Sequence, residues 1–193
     1  MARLKEFNEI EVLDKAVELF WSKGYNATSA NDLVKGLGLS RSSIYSTFKD
    51  KRTLFIRVLD RYKEQNVGQM LQMIEQSDDI LKTIAHIFRL VIAQDITAKI
   101  PKGCLMVNTG IELAPHDQEI ATIIQENMQN IVHIFKIAIE KGQALGQIPK
   151  QHSADSLARF IYNNISGLRV AVKVSHDKNL LEDIANMCLS ILQ

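Results

Sequence analysis

Cysteine is scarce in this sequence: Cys104 and Cys188 are its only two. Two thiols cannot staple a small secreted scaffold, so a disulfide framework is excluded and a cytoplasmic protein with free thiols is expected. Proline is nearly as rare, with three residues, and no stretch alternates polar and apolar with a period of two. A sheet architecture therefore has nothing to build on. No run approaches the ~18 apolar residues of a membrane span. The opening MARLKEFNEIEVLDK is charged throughout, where a signal peptide would be apolar, so no membrane partner is expected. Catalytic signatures are missing too: there is no Gly-rich phosphate loop, no HExxH and no GxSxG. The five histidines are scattered, with no pair at ligand spacing on one helix face. No metal, no cofactor and no enzymatic activity are expected.

Net charge is nearly absent as well, at +1, but this balance hides an asymmetry. Residues 1–63 carry 12 Lys and Arg against 8 Asp and Glu, and the remainder carries 11 against 14. A basic front and an acidic back suggest that only the front meets a polyanion.

What the sequence does have is helical periodicity. Leu13, Ala16, Val17 and Phe20 recur at the spacing of one apolar stripe and predict a first helix over 7–23, stopped by Gly24. Thr28 is read as the N-cap of a short helix over 29–37, which ends at a tight turn on Gly38. Ser40 caps a second short helix reaching Phe48, and Asp50 caps a long one over 51–74. Further helices are expected from Asp78 or Asp79 to about 97, between Gly103 and Pro115, over 117–142, 153–175 and 177–192. The fold class is all-α, with about nine helices. An N-terminal three-helix helix-turn-helix domain (1–50) is followed by a larger helical effector-binding and dimerisation domain (51–193), with 51–74 linking the two.

Residues 40–55, SRSSIYSTFKDKRTLF, are unusually rich in hydroxyls for a helix and then turn basic. A short helix, a Gly turn and a second short helix make a helix-turn-helix, whose second helix enters the major groove. Small hydroxyls allow close approach and bond phosphates or bases. Arg41 suits a guanine edge or a phosphate, and Tyr45 suits a phosphate. Ile44 and Phe48, four apart, anchor the opposite face. Lys51 stands in a first helical turn, where its charge opposes the helix dipole unless a phosphate lies nearby.

The string GYNATSANDLVKGLGLSRSSIYSTFKDKRTLF resembles the DNA-binding domain of TetR-family transcriptional repressors. Gly24, Tyr25, Thr28, Gly38, Leu39, Ser40, Tyr45, Phe48 and Lys51 fall in register with it. Gly36 departs from the usual larger residue, which predicts a looser second helix, and Ser46 stands where His is frequent. The resemblance implies contacts to double-stranded operator DNA from Thr28, Ser29, Arg41, Ser42, Ser43, Tyr45, Ser46 and Lys51. Ser40 is a cap that also stands at this surface, and Arg3 and Lys5 are candidates for an arm.

The resemblance further implies a homodimer on a palindrome, joined through the last two long helices. Leu157, Phe160, Ile161, Ile165 and Leu168 form one apolar stripe. Leu180, Leu181, Ile184, Met187, Cys188 and Ile191 form another; either stripe could equally be core. The middle helices are expected to enclose a pocket for a small, mostly hydrophobic effector. Candidate linings are Phe88, Ile92, Cys104, Met106, Asn108, Met128, Ile131, Phe135, Asn163 and Asn164. Cys104 stands at a helix start two residues from Lys102, a setting that favours thiolate. The surrounding Gly-Cys-Leu and the Asn after it resemble a subset of the family that senses oxidants or electrophiles through a thiol here. In that subset a lysine, matched by Lys173, lies near the thiol. Cys104 is therefore a candidate redox sensor, released from DNA by a thiol-reactive compound, or a residue that packs well. Cys188 is expected in the core. The rival class is a helical interaction module that does not bind DNA.

Overall fold

The computed structural model describes residues 7–193, and among them the chain forms nine α-helices and no strand. The candidate arm residues Arg3 and Lys5 lie outside the described residues.

Almost every helix opens on a side-chain cap, which satisfies amides that have no partner within the helix. Asn8 accepts from the Ile10 amide and starts α1 (Glu9–Lys23). For α2 (Ala30–Leu37) the cap is Ser29, not Thr28. The Ser29 hydroxyl accepts from the Asp32 amide at 3.1 Å, and the Asp32 carboxylate accepts from the Ser29 amide at 2.9 Å. This reciprocal box needs an acid three residues on, and Ser29 has one. Thr28 is instead buried and donates its hydroxyl to the Gly24 carbonyl at 2.6 Å, closing the turn before α2. Gly38 adopts a left-handed φ of 68° and ends α2.

Ser40 then caps α3 (Arg41–Phe48), and Asp50 caps the long α4 (Lys51–Glu75). Asp79 caps α5 (Ile80–Ile96). Asp117 caps α7 (Gln118–Ala144), Ser153 caps α8 (Ala154–Val174) and Asp177 caps α9 (Lys178–Ser190). The exception is α6 (Leu105–Glu112), which begins at Cys104 with no side-chain cap bond.

Two apolar clusters hold these helices. The first packs α1 to α3 on the front half of α4, with Phe20, Leu33, Ile44, Phe48 and Phe55 at most 1% exposed. Phe20 and Phe55 meet edge to face at 4.9 Å, a geometry that adds to the ~1.5–3 kcal/mol each ring gains by burial. Leu105 and Met106 of α6 and Ile120 of α7 join this cluster from the rear of the chain. The second cluster packs α5, α7, α8 and α9 around Ile84, Phe88, Phe135, Ile139 and Ile161. Gly36 does not loosen α2. The helix runs unbroken to Leu37, and the missing Cβ leaves room for Leu19 of α1, whose Cδ2 lies 3.1 Å from where that Cβ would stand.

Candidate nucleic-acid interface and effector cavity

The hydroxyl-rich helix turns its polar side outward because Ile44 and Phe48 are both 1% exposed in the first cluster. Ser40, Arg41, Ser42 and Ser46 are exposed, and Ser43 and Tyr45 are half-buried. At the helix start Ser40 bonds two further serines: its Oγ lies 2.9 Å from Ser42 Oγ and 2.8 Å from Ser43 Oγ. The Arg41 guanidinium stacks 5.8 Å from the Tyr45 ring centroid, which holds both outward-facing groups in a common orientation. Ser29 is exposed beside them at the start of α2. Thr28 does not join this surface; at 1% exposure it has nothing to offer a ligand.

Lys51 is half-buried, with its ammonium 4.3 Å from the Tyr25 ring centroid. Burial pulls its pKa below the usual lysine value, and the charge of Glu112 opposes that pull. A phosphate placed here would further favour the charged form.

Behind this head lies a cavity of about 80 Å³. Three helices build it from residues at helical spacing: Tyr62, Asn66 and Met70 on α4, Asn127, Ile131 and Phe135 on α7, and Tyr162, Ile165, Ser166 and Arg169 on α8. Cys104, Met106 and Val107 close it from α6, and Ile87 from α5. Cys104, Met106, Ile131 and Phe135 were expected there. Phe88 and Ile92 were expected too, but they are buried in the second cluster because their side of α5 faces α8 and α9. Met128 and Asn163 line a separate groove of about 670 Å³ between α7 and α8. Asn108 is pulled aside: its amide donates to the Lys102 carbonyl at 2.9 Å and its oxygen accepts from Lys173 at 3.1 Å. Asn164 donates to the Phe160 carbonyl and is likewise not part of the lining.

Cys104 is half-buried at the cavity wall and accepts from the Tyr62 hydroxyl at 3.6 Å. Burial pushes the Tyr62 phenol well above its usual pKa, and the neighbouring Cys104 adds to this. The expected cations are engaged elsewhere. Lys102 pairs with Glu18 and lies 5.1 Å from the Trp21 ring centroid, and Lys173 pairs with Asn108. Cys188 is 3% exposed, and burial pushes its thiol pKa up to about 11.

Cavity and head are joined through α6. At its start, the buried Asp95 accepts from the amides of Lys102 and Gly103 at 2.7 and 2.9 Å. Gly103 packs against α8 so closely that a Cβ would stand 2.6 Å from the Arg169 carbonyl oxygen. At its end, the Glu112 carboxylate accepts from the amides of Asn26 and Tyr25 at 2.7 and 3.0 Å, in the turn between α1 and α2. A second tie runs from Arg52 on α4 to Asp117 at 3.0 Å and Glu119 at 2.6 Å at the start of α7. The Ile120 amide and Arg52 hold the Asp117 carboxyl below its usual pKa. Sequence reasoning missed Asp95, Glu112, Tyr62, Asn127 and Arg169. The last three carried a signal: each is a polar residue in an apolar stripe at helical spacing.

The expected dimer stripes divide. Leu157, Ile161, Ile165 and Leu168 belong to the second cluster, because their side of α8 packs on α5 and α7. Leu181 and Cys188 are buried with them. The residues left outside are Phe160, Val170 and Val174 on α8 and Leu180 and Met187 on α9, with Val174 83% and Met187 67% exposed. Ile184 and Ile191 are half-buried beside them. Among the described residues no helix is long and apolar enough to cross a membrane.

Two family models match the chain. "Bacterial regulatory proteins, tetR family" matches residues 12–58, and "Tetracyclin repressor-like, C-terminal domain" matches residues 81–188. The chain is 31% identical over 191 residues to the HTH-type transcriptional repressor ComR of Escherichia coli, covering 98% of this chain and 90% of that protein. It is 29% identical over 193 residues to YezE, an uncharacterized HTH-type transcriptional regulator of Bacillus subtilis, covering 100% of both. Its fold matches a cysteine-substituted form of the TetR family transcriptional regulator CifR, solved with a 26-bp double-strand operator DNA. The TM-score is 0.85 at 22% identity, covering 99% of this chain and 100% of that one.

Proposed function

The chain belongs to the tetR family of bacterial regulatory proteins and is a DNA-binding transcriptional regulator; on that premise we propose that it is a repressor that holds a palindromic operator as a homodimer and releases it when a small effector enters the cavity. Residues 1–50 are the reading head and 51–193 the effector and dimerisation domain. The observation that carries this reading is the outward surface of α3: exposed serines and Arg41 and no acidic residue, held in place by buried Ile44 and Phe48. The exposed apolar residues of α8 and α9 are the surface a second copy covers, residue against residue across a two-fold axis. An effector acts by favouring a conformer whose two recognition helices miss the half-site spacing.

The test is a fluorescence-anisotropy titration on the DNA flanking the protein's own gene, with sedimentation to count protomers. Two protomers per duplex are expected. Lys51→Ala weakens binding across sequences and flattens the salt slope by about one unit, and Arg41→Ala relaxes base preference. If both variants bind like wild type at matched salt, the assignment of α3 is wrong.

A second reading makes Cys104 the signal. What favours it is the position of the thiol: in the cavity wall, at the uncapped start of the helix that reaches the head. Alkylation with N-ethylmaleimide then releases operator from wild type but not from Cys104→Ser. An equal response of the two proteins refutes it.

A further inference from the structure

Among the described residues no Asp or Glu lines the cavity, and none lines the groove of about 490 Å³ that adjoins it between α4 and α5. The two spaces share Asn66, Met70, Ile87 and Arg169, so Arg169 stands at the throat between them, the one charged residue of either lining among the described residues. Its guanidinium has five N–H donors. One reaches the Gly103 carbonyl at 3.3 Å, and no carboxylate of the described residues lies within ion-pairing distance.

Asn127 supplies a second, independent sign. It projects from the middle of α7 into the cavity, is 8% exposed, and its side chain makes no hydrogen bond among the described residues. Its amide faces the cavity space and is open to bond whatever enters it. Tyr162 is a neutral phenol at the wall, because burial raises its pKa; the Tyr62 hydroxyl is already given to Cys104.

We propose that the cavity takes a small organic carboxylate, whose anionic head meets Arg169 and Asn127 and whose apolar body lies among Met106, Ile131 and Phe135. This rests on reading the cavity as the effector site. A guanidinium presents two parallel donors to a carboxylate, which fixes orientation as well as charge. A single cation suits a monoanion better than a doubly charged phosphate ester. Size limits the body: an apolar cavity of ~150 Å³ holds benzene. A space of about 80 Å³ therefore takes a ring or a short chain only with small shifts of its walls, and a longer chain runs past the throat into the groove.

The test uses full-length protein without DNA and four probes: benzoate, octanoate, and their neutral counterparts benzamide and octanamide. Binding is read by calorimetry and by emission of Trp21, the chain's single tryptophan, whose ring lies 5.1 Å from that of Tyr62 in the cavity wall. At least one acid is expected to bind about tenfold or more tightly than its amide. Arg169→Met abolishes the preference while amide binding persists, which shows that the variant is folded. Arg169→Lys, which keeps the charge but loses the fork, retains part of it. The proposal is overturned if neither acid binds at millimolar concentration, if amides bind as tightly as acids, or if both Arg169 variants keep the full preference. Operator release is then measured separately. A protein that binds octanoate yet holds operator unchanged refutes the effector reading and leaves the ligand assignment standing.

Discussion

Gly38 and Gly103 form a matched pair on which the geometry around α6 can be tested. Their φ values are 68° and 66°, so an alanine at either position meets the same backbone penalty, about 1–2 kcal/mol for a side chain held in the left-handed region. Their surroundings differ. An added Cβ at Gly38 has no atom within 4 Å, whereas at Gly103 it would stand 2.6 Å from the Arg169 carbonyl oxygen and 2.9 Å from Lys173 Cδ. The lysine stem can swing away, but the carbonyl belongs to α8 and moves only with that helix. Forcing the two apart adds about 1–3 kcal/mol, the usual cost of overpacking. For a chain of this size each kcal/mol lowers Tm by ~2–4 °C. Thermal unfolding should therefore place Gly103→Ala several degrees below Gly38→Ala. Trp21 emission should change in Gly103→Ala alone, because Cys104 follows Gly103 and touches the Tyr62 that meets Trp21. Equal losses of Tm in the two variants would refute the close packing of α6 on α8.

Two further outcomes follow from the ties between the halves. Glu112→Ala removes the acceptor of two backbone amides; with Asn26 exposed, the loss is put at about 2 kcal/mol in urea unfolding, below the upper range for two charge-assisted bonds. An unchanged midpoint would show that the carboxylate does not hold the α1–α2 turn. The pH dependence comes from carboxyls whose pKa is held below its usual value. Asp14 is lowered chiefly by its bond to Arg61, Asp50 by the Thr53 amide, and Asp117 by the Ile120 amide. A lowered folded pKa means that the unfolded chain takes up protons first. The stabilisation is thus complete above the unfolded value of about 3.9 and is lost as pH falls from there through the folded values. Urea midpoints should match at pH 7 and pH 5 and drop at pH 3; a midpoint at pH 3 equal to that at pH 5 would refute the assignment.

Local signals were legible where the chemistry is local. Ser40, Asp50, Ser153 and Asp177 cap the helices that follow them, because a cap needs only its own next three residues. Thr28 misled because Ser29 beside it has the better partner in Asp32, and choosing between adjacent hydroxyls depends on where the turn closes. The stripes on α8 and α9 were legible as stripes but not by side. Leu157 and Phe160 are three apart and equally apolar, yet one faces α5 and α7 and the other faces out. That distinction depends on the angle at which helices cross, which no single helix encodes. Asp95 and Glu112 were illegible for a related reason. Their partners are backbone amides of loops, and an amide leaves no mark on residue type.

Met106 shows how little free energy the release of DNA requires. It is 2% exposed, belongs to the cluster that supports α1 to α3, and also lines the cavity. A ligand that enlarges the cavity acts on Met106 and therefore on the packing of the head. A tenfold loss of operator affinity corresponds to about 1.4 kcal/mol, roughly half or more of the ~1.5–3 kcal/mol that burying one methionine contributes. Partial displacement of this one side chain is therefore enough, provided the ligand-bound conformer and the operator-bound conformer place it differently. Met106→Ala should break the link. It costs stability by about 2–5 kcal/mol through the void it leaves, and it lets the ligand enter without pushing on the head. Octanoate should then bind the variant at least as well as wild type while leaving its operator affinity nearly unchanged. Wild-type release by the variant, measured by anisotropy at saturating octanoate, would show that the signal does not pass through this side chain.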